Sequence, residues 1–341
     1  MRNRHPLVFV LSVLAVLLSG CTLNTLATPT PLARYSLDVC FSSISAPQIA
    51  PIYAQEAGLF DKHGLDVNLV YVDGGTEAAT TLISGEMDIC QVGGAPVANA
   101  AVAGEDLVLI AGLFNRYAYA LMVTPDIASA RDLKGKNLAV SSLGSSSDSA
   151  LRTLLPTLGI DPNTDVTIVS VGNQSSRLAA MESGAVAGTL ISVPESARAR
   201  EAGYRELVNM IESDIPYPHN AIAARRSFIE DNRGAMMGYL RAITEAIALM
   251  KADKEGAISA LASFLDLDLV ADRASLEEAY DVFVRDGLAD IPYPTVEGVR
   301  AQLDAMVAEI PDAATFPAAA MIDNTLLDEV EASGFLNQIN R

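Results

Sequence analysis

The chain has 341 residues, half of them hydrophobic, and a formal net charge of −19 from 42 acidic and 23 basic side chains. That is ample apolar material for one or two sizeable cores, and the charge speaks against nucleic acid as a partner, because no basic patch or stripe exists to neutralise phosphates. An acidic surface of this kind signals solubility and says little about a ligand.

The first twenty residues differ from the rest. A basic start at Arg2 and Arg4 is followed by an apolar run, Leu7 to Leu18. The run is too short to span a bilayer comfortably and reads as a signal peptide, residues 1–20. Its end, Leu18-Ser19-Gly20-Cys21, resembles the lipobox of bacterial lipoproteins. That resemblance implies an acylated Cys21, carrying lipid such as palmitate, as the new N-terminus. Residues 21–33 are rich in Thr and Pro and are expected to be a flexible tether between membrane and folded domain.

After the tether, strands and helices alternate. "YSLDVCFSSIS" predicts a strand ending in small hydroxyl residues, and "APQIAPIYAQEAGLF" a helix. "LDVNLVYVDGG", "MDICQVGG" and "DLVLIAGLF" predict the next strands, with helices over "TEAATTLISGE" and "APVANAAVAGE" between them. A second unit repeats the pattern. "DLKGKNLAV", "DVTIVSVGN", "VAGTLISVPES" and "YRELVNMI" read as strands, and the segments between them as helices. From Phe228 onward the chain is helical, with amphipathic spacing in "GAMMGYLRAITEAIALMKADKEGAISALASFL".

Strand–helix alternation with short loops implies an α/β fold of mostly parallel sheets flanked by helices. Two lobes fit: residues 34–125 with 222–341, including the C-terminal helical tail, and residues 126–221. The linking segments are expected near Val123–Ser129 and Asp214–Ala224. Ligands bind outside the carboxyl ends of strands in such sheets, and here those ends carry Ser42-Ser43, Gly74-Gly75 and Gly93-Gly94. A helix follows each at once, so backbone N–H groups and helix dipoles converge on one crevice without large side chains.

Other residues receive plainer readings. Cys40 and Cys90 lie in apolar strand-like runs and read as buried core residues in preference to a disulfide, which the sequence leaves open. No C-x-x-C pair supports a thioredoxin-type or Cys-ligated zinc site. His63, in "FDKHG", suits a helix end. His219, in "IPYPHNA", lies in an expected hinge. "DLDLVAD" near Asp266 to Asp272 lacks the Gly and terminal Glu of a calcium loop. No metal and no cofactor is expected, and no G-x-S-x-G elbow suggests a hydrolase. Tyr117 and Tyr119 read either as cleft walls or as strand-edge packing.

"APIYAQEAGLFDKHGLDVNLV", "LISGEMDICQVGGAP" and "ARDLKGKNLAV" followed by "GSSS" resemble the solute-binding proteins of ABC importers. More narrowly, the chain is similar to the nitrate/sulfonate/taurine group with its thiamine-pyrimidine (NMT1/THI5-like) relatives. The resemblance implies a two-lobed periplasmic-binding-protein fold of the second type. It also implies a monomeric, non-catalytic receptor on the extracytoplasmic face, handing a small molecule to permease and ATPase subunits. Ligand residues would fall at Ser42, Ser43, Ser45, Gly75, Thr76, Gly94, Ala95, Asn115 and Arg116 in the first lobe. In the second they would be Ser145, Ser146, Ser147, Asn173 and Ser192. Sulfonate and taurine receptors often carry an aromatic-Asp-Pro where this chain has Ser192-Val193-Pro194, and there is no Trp. An organic or inorganic anion (sulfonate, carboxylate or nitrate) is the expected ligand; Arg116 reads equally as its counter-ion or as an exposed Arg paired with one of the many carboxylates. The alternatives are a thiamine-precursor pyrimidine receptor, a pyrimidine-synthase-like enzyme on the same fold, and a ligand-sensing module.

Overall fold

The computed structural model describes residues 34–213 and 215–339; the signal segment, the Cys21 motif and the tether lie outside them, as does Asp214, where the second expected linker begins. The chain opens with β1 (Tyr35–Phe41), α1 (Ile49–Glu56), α2 (Leu59–Lys62), β2 (Leu65–Tyr71), α3 (Gly75–Ser84), β3 (Ile89–Val92), α4 (Gly94–Val102) and β4 (Leu107–Arg116). Between α2 and β2 the reversal turns on Gly64, whose φ of +77° is left-handed backbone that a side chain would strain. β2 then begins by alternating, with Leu65 and Val67 buried against Asp66 and Asn68 exposed.

The second run of elements is β5 (Ala120–Val123), β6 (Asn137–Val140), α5 (Ser146–Thr157), β7 (Thr167–Ser170), α6 (Gln174–Glu182), β8 (Gly188–Ile191), α7 (Glu195–Glu201) and β9 (Arg205–Asn209). Strand β10 (Pro216–Arg225) follows. Then come the helices α8 (Arg226–Asp231), α9 (Arg233–Ala252), α10 (Lys254–Leu265), α11 (Arg273–Ala279), α12 (Val296–Met306), α13 (Thr325–Ala332) and α14 (Phe335–Ile339).

Two five-stranded sheets result, ordered β2-β1-β3-β10-β4 and β7-β6-β8-β5-β9. The order is the same in both: second, first and third strand of the unit, an antiparallel intruder, then the fourth. The first three strands are parallel, whereas β10 and β5 run antiparallel to both neighbours. The chain enters each intruder directly from the other lobe, so the backbone crosses between lobes twice, at residues 117–119 and between β9 and β10. This is an α/β fold of two helix-flanked sheets with a C-terminal helical tail.

The lobe boundaries consequently move. β5 belongs to the second sheet although residues up to 125 were expected in the first, and β10 enters the first sheet at Pro216 rather than at 222. No strand is predicted over "PYPHNAIAAR" because two prolines and a His-Asn pair read as loop. The sheet accommodates them through register shifts between Pro216 and Asn220, where a strand can lose ladder hydrogen bonds.

The tail packs on the first lobe. The twenty-residue α9 buries Met236, Tyr239, Leu240, Ile243, Ile247 and Met250, meeting α1, α2, α10 and α13, with Tyr239 stacked on Phe60 at 5.5 Å. Cys40 and Cys90 are joined as a disulfide, which corrects their reading as free core thiols. Parallel pairing of β1 with β3 sets the two residues opposite each other in register. Their Cα atoms are 4.4 Å apart with both side chains fully buried, within the range a disulfide spans.

Candidate functional site

A cavity of about 50 Å³ lies between the sheets. A single water needs about 10–15 Å³ on this scale, so there is room for a few heavy atoms. The walls come from the carboxyl ends of β1, β2 and β3 on one side (Ser42, Ser43, Ser45, Asp73, Gly75, Gly93) and of β6, β7 and β8 on the other (Ser145, Ser146, Ser147, Asn173, Ser192). Tyr119, from the first crossing, and His219 and Asn220, from the first half of β10, close it.

The starts of α3, α5 and α6 reach the cavity through Gly75, Ser146 and Gln174. The serines are already a network: Ser147 Oγ receives Ser141 N at 2.9 Å, while Ser145 Oγ lies 2.9 Å from Ser141 Oγ and 3.1 Å from Ser147 Oγ. Ser145 and Asn173 cap their helices, accepting from Asp148 N at 3.4 Å and Ser176 N at 2.9 Å. These side chains hold the helix starts in place and keep the loops small.

The cation of the cavity is Arg177, on α6 and 3% exposed. One end of its guanidinium is anchored, with Nη1 donating to Leu190 O at 2.5 Å and to Thr189 Oγ1 at 3.3 Å. Its Nε has no hydrogen-bond partner among the described residues. Burial holds its pKa below the usual arginine value, with Tyr119, Glu195 and Asp73 partly compensating. Glu195 neutralises it only in part, since burial pushes its carboxyl up to about 7. His219 is neutral, driven down to about 3 by burial, and the Tyr119 hydroxyl is raised to about 12 by the same cause. A partly compensated guanidinium therefore faces a polar hole otherwise lined by neutral groups and by Asp73 at its exposed side.

Of the residues expected at the site, Ser42, Ser43, Ser45, Gly75, Ser145, Ser146, Ser147, Asn173 and Ser192 line the cavity. The rest do not. Thr76 joins the lobes outside it, donating to Leu143 O at 3.2 Å. Gly94 is packed beneath Pro218 and Ala95 is part of an apolar core. Asn115 and Arg116 stand in a separate cleft with Asp286, Glu297 and Thr295. The carboxyl end of β4 leads straight into the first crossing, and it lines that separate cleft beside Pro216 rather than the cavity. Arg116 is thus replaced by Arg177 as the candidate counter-ion. One signal could have found Arg177: a cation at the end of a helix's first turn opposes the positive end of the dipole. Gln48, Asn220 and His219 also line the cavity; of these the sequence singles out only His219, as part of an expected hinge. His63 is tied to Glu245 at 2.8 Å, far from the cavity.

The lobes also touch around the cavity. Asn99 Nδ2 donates to Gly144 O at 3.2 Å and Ser142 Oγ lies 3.2 Å from Thr76 Oγ1. Beyond them, Ser149 Oγ donates to Gln302 Oε1 at 2.9 Å and Arg152 pairs with Glu309 at 2.7 Å. Behind the cavity the first crossing packs on the start of β10, Tyr117 on Tyr217 at 4.0 Å and Tyr119 against His219 at 4.5 Å. Among the described residues, no group of three or more His, Cys, Asp or Glu is placed to hold a metal ion, and no helix is long and apolar enough to cross a membrane.

The family model described as NMT1/THI5 like matches residues 46–257. The search of curated proteins returned no match. Among solved structures, a protein from Bordetella bronchiseptica RB50 is similar with a TM-score of 0.76 at 19% identity, over 88% of this chain and 98% of its own. The nitrate-binding protein NrtA from Synechocystis PCC 6803 aligns with a TM-score of 0.72 at 16% identity, over 87% and 88%. The alkanesulfonate-binding protein SsuA from Xanthomonas axonopodis pv. citri, solved with MOPS, aligns at 0.70 and 19% identity, over 84% and 98%.

Proposed function

The chain belongs to the NMT1/THI5-like family, and on that premise we propose that it is an extracytoplasmic solute-binding protein that closes on a small organic or inorganic anion and presents it to an ABC importer. The observation that carries this reading is Arg177: a buried guanidinium with an unpaired Nε, at a cavity where three helix starts add partial positive charge. The likeness to nitrate- and alkanesulfonate-binding proteins supports the same class of ligand. A catalytic reading is less well served. The serines have a histidine in their cavity, but a group driven down to about 3 is a poor general base near neutral pH. The Leu18-Ser19-Gly20-Cys21 motif supports a lipid anchor at Cys21 on the outer face of the membrane.

Thermal unfolding of the purified protein with nitrate, short sulfonates and short carboxylates tests the anion. A ligand at a hundred times its Kd adds about 2.7 kcal/mol to stability, a clear rise in Tm. The rise is expected for at least one anion in the wild type and is expected to vanish in Arg177→Met, which keeps the volume and removes the charge. An anion response equal in both proteins would overturn the role of Arg177, and its absence with every anion would overturn the anion reading.

A further inference from the structure

Arg177 supplies donors, yet the opposite need is also built into the cavity wall. The carbonyl of Pro47 accepts two side-chain amides, from Gln91 Nε2 at 3.0 Å and from Asn220 Nδ2. A carbonyl oxygen can only accept, so this contact fixes which way the Asn220 amide points. Its Nδ2 must face Pro47, and its Oδ1 must face elsewhere. Asn220 is 1% exposed, lines the cavity, and its Oδ1 has no partner among the described residues. Gln48 Oε1, another unpaired acceptor on a buried cavity-lining side chain, is on the same lobe. A buried acceptor left empty is unfavourable, and an anion made only of acceptors would worsen it by bringing its own lone pairs against Asn220.

We propose that the solute carries, besides its anionic group, at least one O–H or N–H donor received by Asn220 Oδ1, and that Asn220 selects against anions made only of acceptors. This rests on the anion reading above and narrows it: Arg177 on the second lobe holds the charge, and Asn220 on the first reads the donor. Both ends of the ligand must then be satisfied for the lobes to meet, so a bare anion engages one lobe well and the other badly.

The test is calorimetric binding of matched anions that differ only by a hydroxyl, glycolate against acetate and isethionate against ethanesulfonate, with nitrate as a bare reference. For at least one pair the hydroxylated member is expected to bind about tenfold tighter or more, because a site built to bond a hydroxyl rejects the analogue lacking it. In Asn220→Leu that gap is expected to collapse. Equal affinity within each pair, or tighter binding of the bare members, would overturn the inference and leave the anion reading standing; it would mean that water serves Asn220 instead. A gap that persists in a folded Asn220→Leu would overturn the role of Asn220. The wild-type comparison decides even where the variant fails to fold, and no binding of any of the five anions would remove the anion reading and this inference together.

Discussion

Glu195 and His219 sit near the same cavity and titrate in opposite senses. Burial raises the Glu195 carboxyl from 4.5 to about 7, so the folded chain keeps a proton that the unfolded chain gives up, and stability falls as pH rises through that window. Burial lowers His219 from 6.5 to about 3, so the unfolded chain takes up a proton that the folded chain refuses, and stability falls as pH drops below 6.5. Between pH 4.5 and 6.5 the two slopes cancel. Glu195→Gln leaves the His219 slope alone. Its stability relative to wild type is therefore expected to improve by about 2 kcal/mol between pH 4.5 and 6.5, measured by urea unfolding at the two pH values. A difference that does not change with pH would mean that Glu195 is not held protonated. Neither group's state could be read from the sequence, where Glu195 is one polar residue past the Pro194 that ends a strand and His219 is one among prolines.

At the scale of elements, the site depends on how closely strand ends approach. Gly93 has an ordinary φ of −76°, so alanine meets no backbone strain there. A Cβ would nevertheless stand 1.8 Å from Ser146 Oγ and 3.1 Å from the His219 carbonyl oxygen. Gly93→Ala is expected to weaken ligand binding about tenfold, while the apo protein, which relieves the Ser146 clash by parting its lobes but keeps the His219 contact within one lobe, loses only a little Tm; unchanged affinity would show that the lobes need not come this close. The Cys40–Cys90 link closes a loop of 50 residues and is expected to contribute about 4 kcal/mol, measured as the loss of unfolding free energy in the double alanine variant. Equal stability would show the bridge to be dispensable. The strands and helices that follow a regular period were legible in sequence, and with them the Ser- and Gly-lined ends of the first three strands of each unit. The two intruding strands were not. Val123 and its neighbours form a four-residue strand with no period to count, and β10 hides a central strand behind Pro216 and Pro218. Missing these strands also misplaced Arg116, because where the carboxyl end of β4 opens depends on where the chain goes next.

For the whole molecule, closure is held partly from outside the cavity. Arg152 on the second lobe pairs with Glu309, in the turn after α12 of the first lobe, and Ser149 bonds Gln302 on α12 itself. Such half-exposed ion pairs contribute about 1 kcal/mol or less. Glu309→Gln is accordingly expected to weaken ligand binding by about two- to fivefold without touching a cavity residue, with a larger radius of gyration in solution scattering of the apo protein. Unchanged affinity and size would show that the Arg152–Glu309 pair is only a surface contact. The interleaved strand order has one more consequence, for the order of assembly. On a chain emerging from the ribosome, β1 to β4 appear first, but β3 and β4 can pair only with β10 between them. The second sheet, by contrast, draws all its strands from residues 120–209 and is complete as soon as β9 is out. The lobe made later is thus the lobe finished first, and the earlier one waits, its two inner edges bare, for a strand synthesised about a hundred residues downstream.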